Sequence, residues 1–370
     1  MPTTGKQIFT TLGEDGKLTV EVAEGTFPDP TGSQVLVEME AAPINPSDLA
    51  LLLGQADVEN AQYSPGKLVA DMPEAAARAM KARVGQRLPV GNEGAGTVIK
   101  AGDDPAAQAL MGQRVACVPG TAYSQYAIAD AGMCLPLGDH SAEAGASSFV
   151  NPMTALGFVE HAKMEGQKAI VHTAAASNLG QMLNRICQED GLELVNIVRK
   201  QEQVDLLKGL GAKHIVNSSD DDFSKQLRAA IDETEAFFGF DATGGGTLIN
   251  SIFTAMEQVA ASKMGAYNRY GSNQQKKMFI YGRLELSPTV LTPAYGFGWT
   301  LSGWLLTPFL AQAGAERVAA MRKRVLDNLT TTFASHYKAK VNLEQMLEKD
   351  AVLDYRAMST GEKYLVTPQG

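Results

Sequence analysis

One stretch, Lys168 to Lys200 (KAIVHTAAASNLGQMLNRICQEDGLELVNIVRK), constrains the fold of this chain more than any other. It opens after Gly166 with the apolar run Ala169-Ile170-Val171, the pattern of a fully buried parallel strand. Ala174 to Gly180 follows, small residues throughout except Asn178 and Leu179. Leu179, Met182, Leu183, Ile186 and Cys187 then fall on one helical face. Gly191 ends that helix, and Leu192 to Val198 supplies a second strand. Strand, tight turn, helix and strand within about thirty residues make a dinucleotide-binding unit.

The composition of the turn follows from what it must admit. A pyrophosphate approaches backbone N–H groups at the helix N-terminus, where unpaired donors and the macrodipole favour an anion. Side chains there must be small, which makes Ala176, Ser177, Asn178, Leu179 and Gly180 candidate cofactor contacts. The usual glycine-rich signature is reduced to Gly180, with Ala174 and Ser177 in the other two places, so the pattern alone also suits a buried Ala-rich turn of another α/β protein. The end of the second strand adds the context. NAD enzymes carry an Asp or Glu there, about 20 residues past the turn. This chain has Arg199, nineteen positions beyond Gly180, followed by Lys200. An acid would repel a 2′-phosphate, whereas a guanidinium holds it through paired, charge-assisted hydrogen bonds. The alternative is a pair of solvated basic residues; we favour NADPH as the expected cofactor.

A chain of 370 residues has room for two cores. The net charge of −9, with no basic stripe, argues against nucleic acid as a partner. No run reaches the ~20 apolar residues of a membrane span, and the N-terminus MPTTGKQIFTTLGEDG lacks the apolar core of a signal peptide. Cys117, Cys134 and Cys187 are scattered and odd in number, which fits reduced thiols and a cytoplasmic protein.

Before the unit the chain is β-rich. Residues 6 to 22 read as a hairpin around Glu14-Asp15-Gly16, and Val35 to Glu40 as a further strand. Pro43 to Asp48 is a proline-punctuated loop, with Ser47 or Asp48 placed to cap a short helix through Leu53. Gly54 to Pro89 is irregular and reads as an insertion shaping the pocket, with a helical pattern over Pro73–Val84. Gly91-Asn92-Glu93-Gly94-Ala95-Gly96 is a glycine-dense turn into a strand, as at the corners of small barrels. From Ser147 onwards helices and strands alternate, which predicts a parallel, doubly wound sheet with ligand at the strands' C-terminal ends. The tail carries helices near Glu316–Leu329 and Leu343–Leu353, then a strand at Lys363–Val366 expected to return to the β-rich part. The predicted domains are 1–146 with 308–370, and 147–307.

NPSD at 45–48, GNEGAG at 91–96, GQRVA at 112–116, NPMTAL at 151–156, the 174–180 turn, LKGLGAKHIVN at 207–217 and DATGG at 241–245 occur in one order along nearly the whole chain. That order resembles the medium-chain dehydrogenase/reductase superfamily, and within it the zinc-free branches, the NADPH:quinone oxidoreductases and the mitochondrial-type 2-enoyl thioester reductases. The resemblance implies a GroES-like β-rich catalytic domain and a Rossmann nucleotide-binding domain. It also implies a homodimer, with Tyr295–Leu306 at the dimer contact and substrate wall. Residue by residue, it implies that Asn45 and Asn151 line the nicotinamide end and that Thr154 bonds cofactor phosphate or ribose. Thr243, Gly244, Tyr281 and Gly282 would lie where the cofactor passes strand ends. Lys363 would reach the cofactor, unless it is a solvated charge.

Zinc members of the superfamily carry Cys or His at three places where this chain has Asn45-Pro46-Ser47, Asn92-Glu93 and Asn151-Pro152. None is a thiolate or imidazole, the ligands zinc prefers, so no metal is expected. Without a Lewis acid, a quinone or an α,β-unsaturated carbonyl is the easier small-molecule substrate. Hydride adds at the β-carbon, charge spreads to the carbonyl oxygen, and the protein must orient, donate hydrogen bonds and deliver one proton. Enoyl reductases place a Tyr just after NPSD, but here Gly54-Gln55-Ala56-Asp57 has none. Tyr63 is the candidate donor, with Tyr123 and Tyr126 as alternatives, and Asn45 its catalytic companion. The expected function is an NADPH-dependent quinone or enone reductase. The alternatives are a dedicated trans-2-enoyl thioester reductase and an NADPH-binding sensor with little turnover.

Overall fold

A computed structural model of the chain describes residues 2–360 and 363–370. It divides into two compact units, Met1–Val150 with Val325–Gly370, and Asn151–Arg324.

Among the described residues the first unit holds two sheets. One runs in the order Gln62–Ser64, Lys67–Asp71, Lys17–Phe27, Thr3–Leu12, Arg87–Pro89. Its spine is the hairpin expected around Gly16, longer than the sequence suggests and paired from Leu12↔Leu18 out to Thr3↔Phe27. Ile8, Leu12, Leu18 and Val20 alternate into the core and are fully buried. The other sheet runs Cys134–Pro136, Arg114–Cys117, Gly94–Ala101, Gln34–Pro43, Tyr364–Val366, Ala339–Val341, with Tyr126–Asp130 also pairing with Gln34–Pro43. The C-terminal strand therefore does return to the β-rich unit, antiparallel to Gln34–Pro43. Gly96 faces Met39 at a register irregularity. A Cβ there would lie 2.0 Å from the Glu38 carbonyl oxygen, so the strands can approach this closely only at a glycine.

Four expectations for this unit need correction. Part of the stretch read as an insertion is sheet: Gln62–Ser64 and Lys67–Asp71 extend the first sheet beyond Lys17–Phe27. Gln62–Ser64 is a three-residue edge strand, and Lys67–Asp71 inside it buries only Leu68 and Ala70, too little alternation to read from the sequence. The helical pattern of Pro73–Val84 breaks at Met80 into Glu74–Ala79 and a 3-10 turn at Lys81–Arg83. The short helix Pro46–Leu52 has Asn45, not Ser47 or Asp48, at its N-cap; Asp48 sits at the third helical position and reaches back to the Asn45 N–H. Near the C-terminus, the helix read over Leu343–Leu353 is a 3-10 turn, Gln345–Leu347, followed by the helix Lys349–Arg356.

The second unit is one parallel sheet among the described residues, in the order His214–Asn217, Glu193–Val198, Ala169–Thr173, Phe238–Asp241, Lys276–Ile280, Trp299–Gly303. In chain order that is 3-2-1-4-5-6, the doubly wound arrangement whose strand order reverses beside Ala169–Thr173. Helices Asn178–Asp190, Gln201–Gly209, Phe223–Thr234 and Leu248–Ser262 join successive strands. Val171, Val195, Ile231, Ile252 and Phe253 pack a core with no exposed surface. An aromatic layer continues it: Phe158 stacks on Phe240 at 3.9 Å, and Trp304 donates its Nε1 proton to His161 Nδ1 at 3.2 Å. The unit continues past Thr307 to Arg324, because Phe309 stacks on Trp304 and Arg324 pairs with Asp190 and Glu189.

Candidate functional site

In the second unit the expected turn is built as its composition demands. Strand Ala169–Thr173 is buried along its whole length. Ala174 then takes a left-handed backbone (φ 51°), which swings the chain into the helix. Ser177 caps Asn178–Asp190, its Oγ accepting the Gly180 N–H at 3.1 Å. Ala176 is buried beside it. A Cβ on Gly180 would lie 2.2 Å from the Ala175 carbonyl oxygen, so this glycine alone permits the close approach of helix and turn. The first-turn donors of Asn178–Asp190 thus stand at the C-terminal end of a central strand, the setting in which helix N-termini bind phosphate.

Arg199 and Lys200 follow Glu193–Val198 and are exposed. The Arg199 backbone is held at both ends: its N–H donates to Gln203 Oε1 at 3.1 Å, and its carbonyl accepts from Ser219 Oγ at 2.9 Å. The guanidinium itself makes no ion pair among the described residues, so it is available to an anion.

Asp241, fully buried, organises the next strand end. It accepts from Thr173 Oγ1 at 2.6 Å and from the Gly244 N–H at 2.6 Å, and it also holds the Thr243 hydroxyl. The Thr173 hydroxyl in turn accepts the Ala242 N–H at 2.8 Å, which ties two adjacent strand ends together. Gly244 (φ 76°) and Gly282 meet the opposite loop backbone to backbone: an added Cβ would come within 2.7 Å of the Gly282 oxygen or 2.6 Å of the Ala242 oxygen. A cavity of about 310 Å³ opens here, lined by Gly244, Ile280, Arg283 and Leu286 to Thr289. Tyr281 turns inward, its hydroxyl 2.8 Å from His172 Nε2. Burial pushes His172 down to about 3, so the imidazole is neutral, and burial likewise drives the Tyr281 phenol far above its ordinary value. Thr154 is buried and Asn151 half-buried on the helix Val150–Met164.

The first unit carries a separate buried polar cluster. Asp48 accepts the Asn45 N–H at 2.9 Å and the Asn92 N–H at 2.7 Å. Burial raises this carboxyl to about 6, although those two hydrogen bonds pull it down. Glu93 is 1% exposed. Its Oε1 accepts from Asn45 Nδ2 at 2.8 Å, and its Oε2 takes the Phe149 and Val150 N–H groups at 2.9 Å each. Asn45 Oδ1 is buried with no partner. The Ile44 N–H bonds the Tyr364 carbonyl, one residue from Asn45 on one strand and one from Lys363 on the other. Lys363 is buried, correcting the reading of a solvated charge, and its Nζ donates to Ser147 Oγ at 2.8 Å. Burial lowers this ammonium to about 8, while Glu93 and Asp48 pull it back up. Glu93 is thus common to both, bonded to Asn45 and acting by its charge on Lys363. Tyr63 lies on the edge strand Gln62–Ser64, and its hydroxyl donates to the Val58 carbonyl at 2.7 Å. Tyr123, the alternative donor, gives its proton to the Pro43 carbonyl at 3.0 Å.

Glu93, Ser147, Thr173 and Asp241 were not singled out as site residues by sequence reasoning. DATGG and GNEGAG did flag the neighbourhoods of Asp241 and Glu93, but nothing local marks Ser147. No group of three or more His, Cys, Asp or Glu side chains is placed to hold a metal ion among the described residues. No helix among them is long and apolar enough to cross a membrane.

Residues 31–144 match the alcohol dehydrogenase GroES-like domain. The mitochondrial enoyl-[acyl-carrier-protein] reductase of Bos taurus is 30% identical over 196 residues, 51% of this chain and 46% of that protein. The match thus spans about half the length of the curated relative. Over whole chains, a candidate NADPH:quinone reductase of Mesorhizobium loti superposes with a TM-score of 0.76 at 27% identity, covering 100% of this chain and 99% of its own. A second candidate NADPH:quinone reductase, from Bacillus thuringiensis, shares the fold with a TM-score of 0.73 at 18% identity, covering 99% of each chain. The chain thus joins a unit similar to the alcohol dehydrogenase GroES-like domain to a doubly wound unit, and as a whole it is similar to the Mesorhizobium loti candidate NADPH:quinone reductase.

Proposed function

We propose that this protein is an NADPH-dependent reductase that transfers hydride to a quinone or to an activated carbon–carbon double bond. The observation that carries the reading is the pairing of the Ser177–Gly180 turn, closed to any residue larger than glycine at 180, with the unpaired Arg199 guanidinium at the end of the next strand. The first suits a pyrophosphate and the second a 2′-phosphate. Ala176, Ser177, Asn178, Leu179 and Gly180 would hold the pyrophosphate, Arg199 and Lys200 the 2′-phosphate, and Thr243, Gly244, Tyr281 and Gly282 the path along the strand ends. Asn151 and Thr154 belong to the same set. When bound, the reduced nicotinamide supplies a hydride.

The chain's own residues supply the remainder. In the first unit Lys363 offers N–H groups beyond the one given to Ser147. Donors of that kind stabilise an oxygen on which charge develops as the β-carbon takes hydride. A dedicated enoyl thioester reductase is the second reading, favoured by the name of the bovine relative. A homodimer and a cytoplasmic location complete the proposal, the location in keeping with three buried thiols free of disulfides.

The deciding experiment follows NADPH consumption and product formation with a 1,4-quinone and a trans-2-enoyl thioester side by side. Turnover of the quinone or a simple enone supports the main reading, and saturating turnover of the thioester alone supports the second. Stoichiometric NADPH binding without consumption overturns both in favour of a sensor. Arg199→Ala is expected to weaken NADPH at least tenfold more than NADH, since a charge-assisted hydrogen bond contributes about 1.5–3 kcal/mol. Equal losses of the two cofactors would remove Arg199 from the 2′-phosphate site.

A further inference from the structure

The three cysteines of the chain are not equivalent. Cys187 stands alone on the helix Asn178–Asp190. Cys117 ends the strand Arg114–Cys117, and Cys134, which begins Cys134–Pro136, lies directly opposite it in the antiparallel ladder. The hydrogen bonds decide what kind of opposition this is. The Leu137 N–H donates to the Arg114 carbonyl at 2.9 Å, one step beyond the register pairs Pro136↔Val115, Leu135↔Ala116 and Cys134↔Cys117. Bonded and non-bonded pairs alternate along such a ladder. Leu137 and Leu135 therefore take bonded places, while Pro136, which has no N–H, and Cys134 take non-bonded ones. Side chains of a non-bonded pair share one face at closest approach, with Cα atoms about 4.5 Å apart. That spacing falls inside the roughly 4.4–6.8 Å that a disulfide spans. Both residues are free thiols here.

We infer that Cys117 and Cys134 form a dithiol pair that a hydroperoxide converts, reversibly, into a cross-strand disulfide. The inference concerns the sheet of the first unit alone and stands apart from the cofactor reading.

The two thiols have different parts in it. Cys117 has no exposed surface and is covered on its other flank by the paired strand Gly94–Ala101. Cys134 is 7% exposed, on a three-residue strand at the edge of the sheet. The 3-10 turn Ala131–Met133 before it exposes Gly132 and Met133. Short edge elements open locally at a fraction of the cost of global unfolding, so Cys134 is the thiol that meets the oxidant and Cys117 the one that resolves it. While the strand is closed, burial first and the neighbouring Cys134 second hold the Cys117 thiol well above its ordinary value. A protonated, buried thiol is inert, which confines the bond to oxidising conditions.

The step balances as follows. The Cys134 sulfur attacks one peroxide oxygen, the O–O bond breaks, and a sulfenic acid and one water form. The Cys117 sulfur then attacks the Cys134 sulfur, the S–O bond breaks, and the S–S bond and a second water form. Two thiols are oxidised by two electrons in all, and one hydrogen peroxide is reduced to two waters. The bond closes the loop 118–133. Gly120, Ala122 and Tyr123 of that loop donate their N–H groups to the carbonyls of Asn92, Gly91 and Val90, so the bond braces the turn that carries Glu93.

The test treats the reduced full chain with hydrogen peroxide at about pH 8.5, near the ordinary thiol value. Remaining thiols are blocked with N-ethylmaleimide in guanidinium chloride, and the product is weighed intact and mapped with chymotrypsin, which cuts after Tyr123 and Tyr126 between the two cysteines. The expected product is lighter by two hydrogens before blocking. Its maleimide uptake falls from three to one, the one on Cys187, and dithiothreitol restores all three. Cys187→Ser should form the same bond, and Cys134→Ser should form none. For a loop of this length the unfolding equilibrium constant should fall about 10²-fold on oxidation, read as a higher urea midpoint that Cys134→Ser lacks. The pair is refuted by Cys134 carried on to sulfinic acid beside an alkylated Cys117, by a bond that includes Cys187, or by three thiols still alkylated after peroxide. A linked pair with an unmoved midpoint refutes the bracing of the loop.

Discussion

Replacing Glu93 separates the two roles its carboxylate plays, as hydrogen-bond acceptor and as charge. It accepts three hydrogen bonds of 2.8 to 2.9 Å while 1% exposed, and two of the donors are backbone N–H groups at Phe149 and Val150. Glu93→Ala removes all three and strands buried donors. With bonds to a charged acceptor contributing about 1.5–3 kcal/mol each, the loss should reach at least about 4 kcal/mol. Glu93→Gln has the same shape, and its single carbonyl oxygen serves the two backbone donors. Its amide then faces Asn45, whose Oδ1 is presently without a partner, so a flip of the Asn45 amide restores the third bond in reverse. The expected cost is about 1–2 kcal/mol.

The charge has a second effect. Glu93 pulls the Lys363 ammonium upward, so the glutamine variant should lower its titration further below about 8. Urea unfolding followed by circular dichroism gives the stability arm, read as a shift of midpoint at unchanged slope. The reasoning is refuted if the glutamine variant unfolds as readily as the alanine one, because acceptor geometry would then count for little beside charge.

The ammonium of Lys363 titrates near 8 when folded and at the ordinary 10.5 when unfolded, so between those values the unfolded chain binds more protons and stability rises with pH. Lys363→Met should lack this rise, a difference of up to about 3 kcal/mol between pH 8 and 10.5; parallel stability curves for the two proteins would show that the amine is not buried as a charge. Gly180→Ala should cost about 2–4 kcal/mol and weaken NADPH, since its Cβ meets the Ala175 backbone oxygen at 2.2 Å. A thermal unfolding scan and a binding isotherm both unchanged would mean the turn adapts freely. Tyr63→Phe removes one hydrogen bond to Val58, so about 1 kcal/mol of stability should go while turnover holds within about twofold. A collapse of kcat in a stable Tyr63→Phe would return that phenol to the chemistry.

The most legible parts of this chain were those whose physics is local. Ala169 to Val198 showed its strands and helix because burial on both faces of a strand and on one face of a helix imposes runs and spacings that need no distant partner. Gly191 and Gly16 marked the ends of a helix and a hairpin for the same reason: a left-handed backbone favours glycine wherever it occurs. The strands at Gln62–Ser64 and Lys67–Asp71 are not legible because runs of three and five residues carry little alternation. Asn45 was recognised through NPSD, yet its place at the helix N-cap depends on Asp48 folding back to its N–H.

The sequence by itself determined the class of the molecule. Periodicity set the β-rich part against the alternating part, small residues shaped the turn at 174–180, and Arg199 in place of an acid marked the charge that a cofactor phosphate would meet. Only the tertiary structure decided which polar groups share a dry environment. Lys363 and Ser147 lie 216 positions apart, and Thr173 and Asp241 lie 68 apart. Whether a lysine is solvated or buried, and whether a tyrosine keeps its proton for a substrate or gives it to a carbonyl, depends on neighbours brought in by packing. No local pattern encodes those neighbours, because desolvation and hydrogen-bond partnership arise only when distant segments close on one another.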